Sequence, residues 1–360
     1  MKRVLTYLFA AGMMISAASL MFTSCTKEGP QGPAGANGAD GTNGQDANAT
    51  CTQCHNFSEL IVAKILQYDN SFHGTGLDFE RNAANCAPCH TSQGFQEVLE
   101  TGLEDCADAI QNPAPPGCRT CHMIHDSYTT TDWDLRVTSA FTNRLGQPQD
   151  MAVEYEGALY PSGNLCARCH QARVASPPVT NPTSTTDSIV IASSNSRWGP
   201  HHGPQGLILA GLGGFETGAK FTNSWHTGKT ACVFCHGAEA FGAQAGGHTL
   251  NMTYDSHGTE TDNVKGCNMT NCHVGLTTFD YGGKQTIIEG KTATLLAQLQ
   301  AANVLNASAL MVPGTYCEKM MATVWNFNMV EADRSMGVHN YKYVDGMLDE
   351  GIAYLTSLGY

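Results

Sequence analysis

Cysteine and histidine recur along the middle of this chain in one arrangement. Cys51-Thr-Gln-Cys54-His55, Cys86-Ala-Pro-Cys89-His90, Cys118-Arg-Thr-Cys121-His122, Cys166-Ala-Arg-Cys169-His170 and Cys232-Val-Phe-Cys235-His236 share a C-x-x-C-H spacing. Another motif, Cys267-Asn-Met-Thr-Asn-Cys272-His273, has four intervening residues and keeps the closing Cys-His. Two thiols so placed add to the two vinyl groups of one porphyrin, and the adjacent imidazole then donates to its iron. The pattern predicts six covalently bound haem c groups. Zinc also takes paired cysteines, but identical spacings closed each time by His in an exported chain argue against it. A disulfide scaffold has no need of a His after every second Cys.

The irons have further axial positions to fill. His55, His90, His122, His170, His236 and His273 are the expected proximal ligands, which leaves eight of the 14 histidines. His125 follows His122 in Cys121-His122-Met-Ile-His125, a pattern in which the second His reaches a neighbouring haem. His73 sits in Ser71-Phe72-His73-Gly74, between the first two motifs. His226 just precedes the fifth motif and His248 follows it, while His201 and His202 are adjacent in Trp198-Gly-Pro-His201-His202-Gly-Pro-Gln205. These six are the distal candidates, with His257 and His339 in reserve. Met would raise the potential, and 14 are present; with enough histidines, His on both faces is the simpler assumption. The two surplus histidines also permit a ligand donated to the next subunit of a polymer.

The rest of the chain must export and position these groups. Lys2 and Arg3 precede an apolar run from Val4 to Phe22, which reads as a secretory signal over 1–24. Small residues before Cys25 resemble a bacterial lipoprotein cleavage site, making Cys25 the expected lipidated terminus; ordinary cleavage nearby is the alternative. Gly-X-Y triplets from Gly29 to Asp46 follow. They read as a flexible, collagen-like stalk over 25–50, with trimerisation the lesser alternative. Residues 51–283 are the expected haem domain and 284–360 a helical segment packing on it.

Only 14% of residues are charged, against about 25% in typical domains, and net charge is −13. That balance disfavours nucleic acid, because phosphate neutralisation needs a basic surface. The fold expected is short α-helices and irregular loops wrapped around a chain of haems, with little β-structure. The wide interval from Gln171 to Lys229 reads as a wrapping loop with one strand-like run, Ser188 to Ala192. Helices are expected over Thr292–Leu305, Lys319–Val330 and Tyr341–Leu358. Cys106 and Cys317 remain, either paired or as separate thiols.

The motifs, the Cys118-to-His125 run, the His201-His202-Gly-Pro-Gln205 stretch and Ser335-Met-Gly-Val-His339-Asn340 together resemble bacterial outer-surface multihaem c-type cytochromes. They are similar to those of the OmcE and OmcS kind, which polymerise into conductive filaments. The resemblance covers roughly residues 50 to 345. It implies closely spaced bis-His haems carrying electrons from a cell-envelope donor to an extracellular acceptor, with a homopolymer as one form. Partners so implied are redox cytochromes, metal oxides, soluble metal or other cells, with membrane contact through the N-terminal lipid. The lipid and stalk depart from the filament pattern. A multihaem oxidoreductase acting on a nitrogen or sulfur oxyanion is the alternative, and needs one iron with an open position; a haem-bearing adhesin is a third reading.

Overall fold

A computed structural model describes residues 59–76 and 78–360. The signal, the stalk, Cys25, Cys51, Cys54 and His55 lie outside the described residues. Chain contacts divide into units 1–47 and 48–360, and every described residue belongs to the second.

Helices dominate, with few and short strands. Those of ten or more residues are α1 (Glu59–Asp69), α2 (Ser92–Thr101), α3 (Lys284–Ala301), α4 (Glu318–Asp333) and α5 (Tyr341–Ser357). The strands form two-stranded antiparallel ladders. The ladder nearest the main core pairs β1 (Ser188–Ile191) with β2 (Gly314–Cys317), in the register Ser188↔Cys317 to Ile191↔Gly314. Ile189 and Ile191 point inward and Ser188 and Val190 outward, the period-two alternation of a half-buried strand.

The expected helices all form, and the first begins earlier, at Lys284. Its opening turn is polar, so apolar spacing is hidden there. The Asp280 side chain caps it instead, accepting from the backbone N–H of Gln285 at 2.8 Å and the Thr286 hydroxyl at 2.7 Å. Ile288, Thr292, Leu295 and Leu299 then form one buried stripe. Helix α4 is buried almost all round, which makes it the centre of the bundle.

The interval 171–229 does more than wrap. Ala172, Ile191, Trp198, Leu207 and Ile208 join the same apolar cluster as α3, α4 and α5. Trp325 of α4 packs against Trp198 and Phe215 with ring centroids 6.1 and 5.4 Å away, and its indole N–H donates to the Gly213 carbonyl at 2.7 Å. Asn326 exchanges two 2.8 Å hydrogen bonds with the backbone of Phe215. Fully buried Asn340 accepts from Ser224 N and donates to Ile208 O. Side-chain amides thus satisfy the irregular backbone that the apolar core buries. Trp225, by contrast, is 58% exposed. No described helix is long and apolar enough to cross a membrane.

Glu318, at the start of α4, ties this interval to the bundle. Its buried carboxylate accepts from Thr180 N at 2.6 Å, Asn181 N at 2.5 Å and the Thr180 hydroxyl at 2.9 Å. The Asn181 bond foremost, with Thr180, holds its pKa below the ordinary carboxylate value. Glu318→Gln is expected to cost about 1–3 kcal/mol in urea unfolding at neutral pH. Because the folded-state pKa is depressed, the wild-type advantage is full above the ordinary Glu value. It fades as pH falls through the lower folded value, and a gap between the two proteins that stays constant into acid would contradict this role.

Candidate haem iron sites

The second to fifth motifs are each built on about one helical turn. Ala87–His90, Cys118–Cys121 and Cys232–His236 are short helices, and Ser162–Ala167 leads into Cys169 and His170. Helical spacing puts a first cysteine, the cysteine three residues on and the following His on one side. The backbone N–H of His90, His122 and His170 donates to the carbonyl of its motif's first cysteine, at 3.3, 2.9 and 2.9 Å. The stretched motif closes the same way, His273 N to Cys267 O at 3.1 Å. Asn271, at φ +61°, takes up part of the extra length in a left-handed conformation that Asn tolerates.

Distant histidines face the motif histidines. Ring centroids lie 6.1 Å apart for His73–His170, 6.3 Å for His90–His201, 6.3 Å for His122–His248, 6.1 Å for His226–His273 and 6.3 Å for His236–His339. A metal–imidazole bond of about 2.0 Å, plus about 1.1 Å from nitrogen to ring centre, separates two centroids across one ion by about 6.2 Å. The angles between the ring planes run from 21° for His122–His248 to 87° for His226–His273. A near-constant distance with a free angle is what two donors aimed at one point produce; stacked rings couple the two. Among the described residues no three or more His, Cys, Asp or Glu side chains converge as a metal cage. Two opposed donors are what a macrocycle that supplies four in-plane nitrogens leaves open, so the residues present fit haem.

Hydrogen bonds at Nδ1 aim the rings. His122 bonds Trp133 O at 2.7 Å, His170 the Gln205 Oε1 at 3.0 Å, His201 the His202 O at 3.0 Å, His226 the Val338 O at 2.7 Å and His236 the Leu250 O at 2.9 Å. An acceptor at Nδ1 fixes the tautomer that leaves Nε2 unprotonated and able to donate to metal; at His201 that Nε2 lies 3.3 Å from Arg173 Nη2. Burial, then His170 and His236, depress the His73 pKa to about 4. Burial likewise lowers those of His90, His170, His201, His226, His236 and His248, which favours the neutral, ligating form. His339 differs: burial lowers its pKa, but the Asp333 charge and hydrogen bond outweigh that and raise it.

The motifs pack on one another. Cys89 Sγ contacts Arg168 O at 3.8 Å and Cys169 Sγ contacts Pro88 O at 3.8 Å, a reciprocal back-to-back arrangement of motifs two and four. The Cys166 sulfur meets that of Cys232, and Cys235 meets Cys267. Cys121 approaches Cys166. Gly266 permits the Cys235–Cys267 junction, since a Cβ there would lie 2.0 Å from Phe234 O and 2.8 Å from Cys235 Cα.

The distal candidates thus separate. His73, His201, His226 and His248 each face a motif histidine, and so does His339 from the reserve. His202 lies instead beside His201, centroids 5.8 Å apart. His257 and Gly258 form the turn of a hairpin (Thr253–Ser256 with Thr259–Asp262), both at positive φ, +56° and +86°; local turn geometry accounts for that position. His125, at φ +67°, stacks on Tyr128, and its N–H donates to buried Asp132 at 2.8 Å. Cys106 lies near Gly94 O and Cys317 near the Tyr354 hydroxyl, as separate thiols. Sequence reasoning missed the roles of Asp333 and Gln205; the visible signal was an acidic residue closing α4 six residues before His339.

No family model and no curated protein matches the chain. Two solved structures resemble the chain in part. One is the outer cell wall cytochrome OcwA, with TM-score 0.48 and 20% identity over 81% of this chain and 50% of that one. The other is an undecahaem cytochrome from the S-layer of Carboxydothermus ferrireducens, with TM-score 0.46 and 18% identity over 86% and 45%. The chain spans about half the length of each.

Gly266→Ala is expected to wedge the fifth and sixth motifs apart at a cost of about 1–3 kcal/mol. A drop in thermal midpoint measures it, and an unchanged midpoint would show that the junction is loosely packed.

Proposed function

We propose that the chain is a hexahaem c-type cytochrome that carries electrons and does not convert a substrate. The observation that supports this is the set of five opposed imidazole pairs, each joining a motif histidine to a distant one at an iron-spanning distance. The thioether positions are Cys51, Cys54, Cys86, Cys89, Cys118, Cys121, Cys166, Cys169, Cys232, Cys235, Cys267 and Cys272. The axial pairs are His73/His170, His90/His201, His122/His248, His226/His273 and His236/His339. For the first motif the sequence offers His55 as proximal ligand and leaves His125 and His202 as distal candidates, with His257 in reserve.

Bound haem supplies the ferric–ferrous chemistry. The protein's part is to hold neutral imidazoles on both faces, to close every site to exogenous ligands and to set the spacing. Sulfur contacts between motifs two and four, four and five, and five and six, with motif three beside four, support a path in which those cofactors would be neighbours. The export signal and the lipidated Cys25 expected from the sequence support a path on the outer face of the envelope, between a membrane-side donor and an external acceptor. A net charge of −13, before propionates are counted, favours cationic partners or metal ions.

Mass spectrometry is expected to find six covalent haems, and electron paramagnetic resonance only low-spin iron. Near-parallel imidazole planes give a rhombic low-spin signal and near-perpendicular planes one of larger maximal g. His122/His248 at 21° is therefore the rhombic site, while His73/His170 at 81° and His226/His273 at 87° supply the anisotropic ones. His248→Ala removes the rhombic component and creates one high-spin iron. A wild-type high-spin signal that shifts with nitrite or hydroxylamine would establish the oxidoreductase alternative instead.

A further inference from the structure

We propose that Asp333 makes the His236–His339 position the lowest in reduction potential among the five described pairs. The inference rests on the haem reading above and concerns a difference within it. Where Nδ1 bonds to His122, His170, His201, His226 and His236 are formed, the acceptor is a neutral carbonyl or amide oxygen. At His339 it is a carboxylate: Nδ1 lies 2.6 Å from Asp333 Oδ1.

That carboxylate is placed to act strongly. The Asp333 side chain is 1% exposed, and among the described residues its ion-pair partner is His339, with no Lys or Arg at salt-bridge distance. Its other oxygen accepts from the Ser335 hydroxyl, whose oxygen in turn accepts from His339 N at 3.2 Å. The triad is therefore closed within one loop, and its negative charge is directed at one imidazole. A buried N–H···carboxylate bond is shorter and stronger than one to a neutral oxygen. It draws the Nδ1 proton toward oxygen and pushes electron density onto Nε2, the atom facing the metal position. A more electron-rich ligand stabilises the oxidised over the reduced metal and lowers its potential. Asp333 is thus a positioning residue that acts through His339.

The location gives the difference a consequence. The fifth motif, which carries His236, meets the fourth at Cys166–Cys232 and the sixth at Cys235–Cys267. The pair thus sits between His73/His170 and His226/His273. A low-potential site there is an interior step that an electron climbs before it descends, from whichever end it enters.

Spectroelectrochemical titration of the haem-loaded full chain, with haem counted by mass and spin state read by paramagnetic resonance, tests this. Asp333→Asn keeps a hydrogen-bond acceptor and removes the charge; it is expected to raise the lowest step and leave the others in place. Asp333→Glu restores that step toward the wild-type value. Ser335→Ala removes a donor to the carboxylate, strengthens its pull on Nδ1 and is expected to move the same step further down; it carries the test if the Asn variant fails to mature. Six low-spin haems with an unmoved lowest step in Asp333→Asn overturn the proposal, as does a shift confined to a higher step. A shift of one sign in both Asp333→Asn and Ser335→Ala overturns it too, since a structural disturbance alone gives that. Fewer than six haems or a high-spin iron in the wild type would overturn the haem reading itself.

Discussion

Five pairs of imidazoles are held with ring centroids 6.1 to 6.3 Å apart, and the surrounding structure is what keeps them there. A ring that drifts, or that takes up a proton, no longer donates. Neutrality comes from burial, which costs a charged imidazole its hydration and depresses the pKa of most facing histidines. Orientation comes from oxygen acceptors at Nδ1. Both need a rigid surround, and a chain with only 14% charged residues and 38 glycines does not obtain that from surface ion pairs or long helices alone. Rigidity comes from the apolar cluster that binds α3, α4 and α5 to the segment around Trp198 and Leu207.

The turn between α4 and α5 shows how that core reaches the rings. Residues 333–340 leave a fully packed helix and enter another. In this short span lie Asp333, which bonds His339, and Val338, whose carbonyl receives His226 Nδ1. Asn340 pins the strand of chain that carries His226 by accepting from Ser224 N. One turn therefore orients half of two neighbouring pairs. A helical segment that looks like mere packing in the sequence also orients His226 and His339, because its helices fix the turn's ends.

What the sequence displayed plainly was local. The motif spacing encodes the chemistry of thioether attachment in a handful of residues, and amphipathic stripes such as Val344, Met347, Leu348 and Leu355 announce α5. What it concealed was long-range. The partner of His236 lies beyond both α3 and α4 in the chain, and no local feature separates His339 from His202. His201, at φ +71°, turns its ring toward His90, and the adjacent residue is carried away from that gap. Nor did the interval before the fifth motif look like core. Its apolar residues are spaced irregularly, and buried side-chain amides such as Asn326, not regular ladders, satisfy its backbone.

The sixth motif shows which part of an attachment site is constrained. Its two cysteines are separated by four residues where the others have two, yet the backbone bond from the closing His to the first Cys carbonyl persists, at 3.1 Å against 2.9 Å in the third and fourth motifs. The invariant is the hydrogen-bonded turn that brings first sulfur, last sulfur and imidazole to one side, not the residue count. An insertion is tolerated wherever a residue such as Asn271 can turn left-handed and bulge away from the thiols. The opposite holds where motifs abut. At Gly266 even one methyl group would strike the Phe234 carbonyl, because neighbouring sulfurs are in contact there. Freedom within a motif and none between motifs is the pattern expected if spacing from one cofactor to the next, more than the shape of any single site, governs the fold.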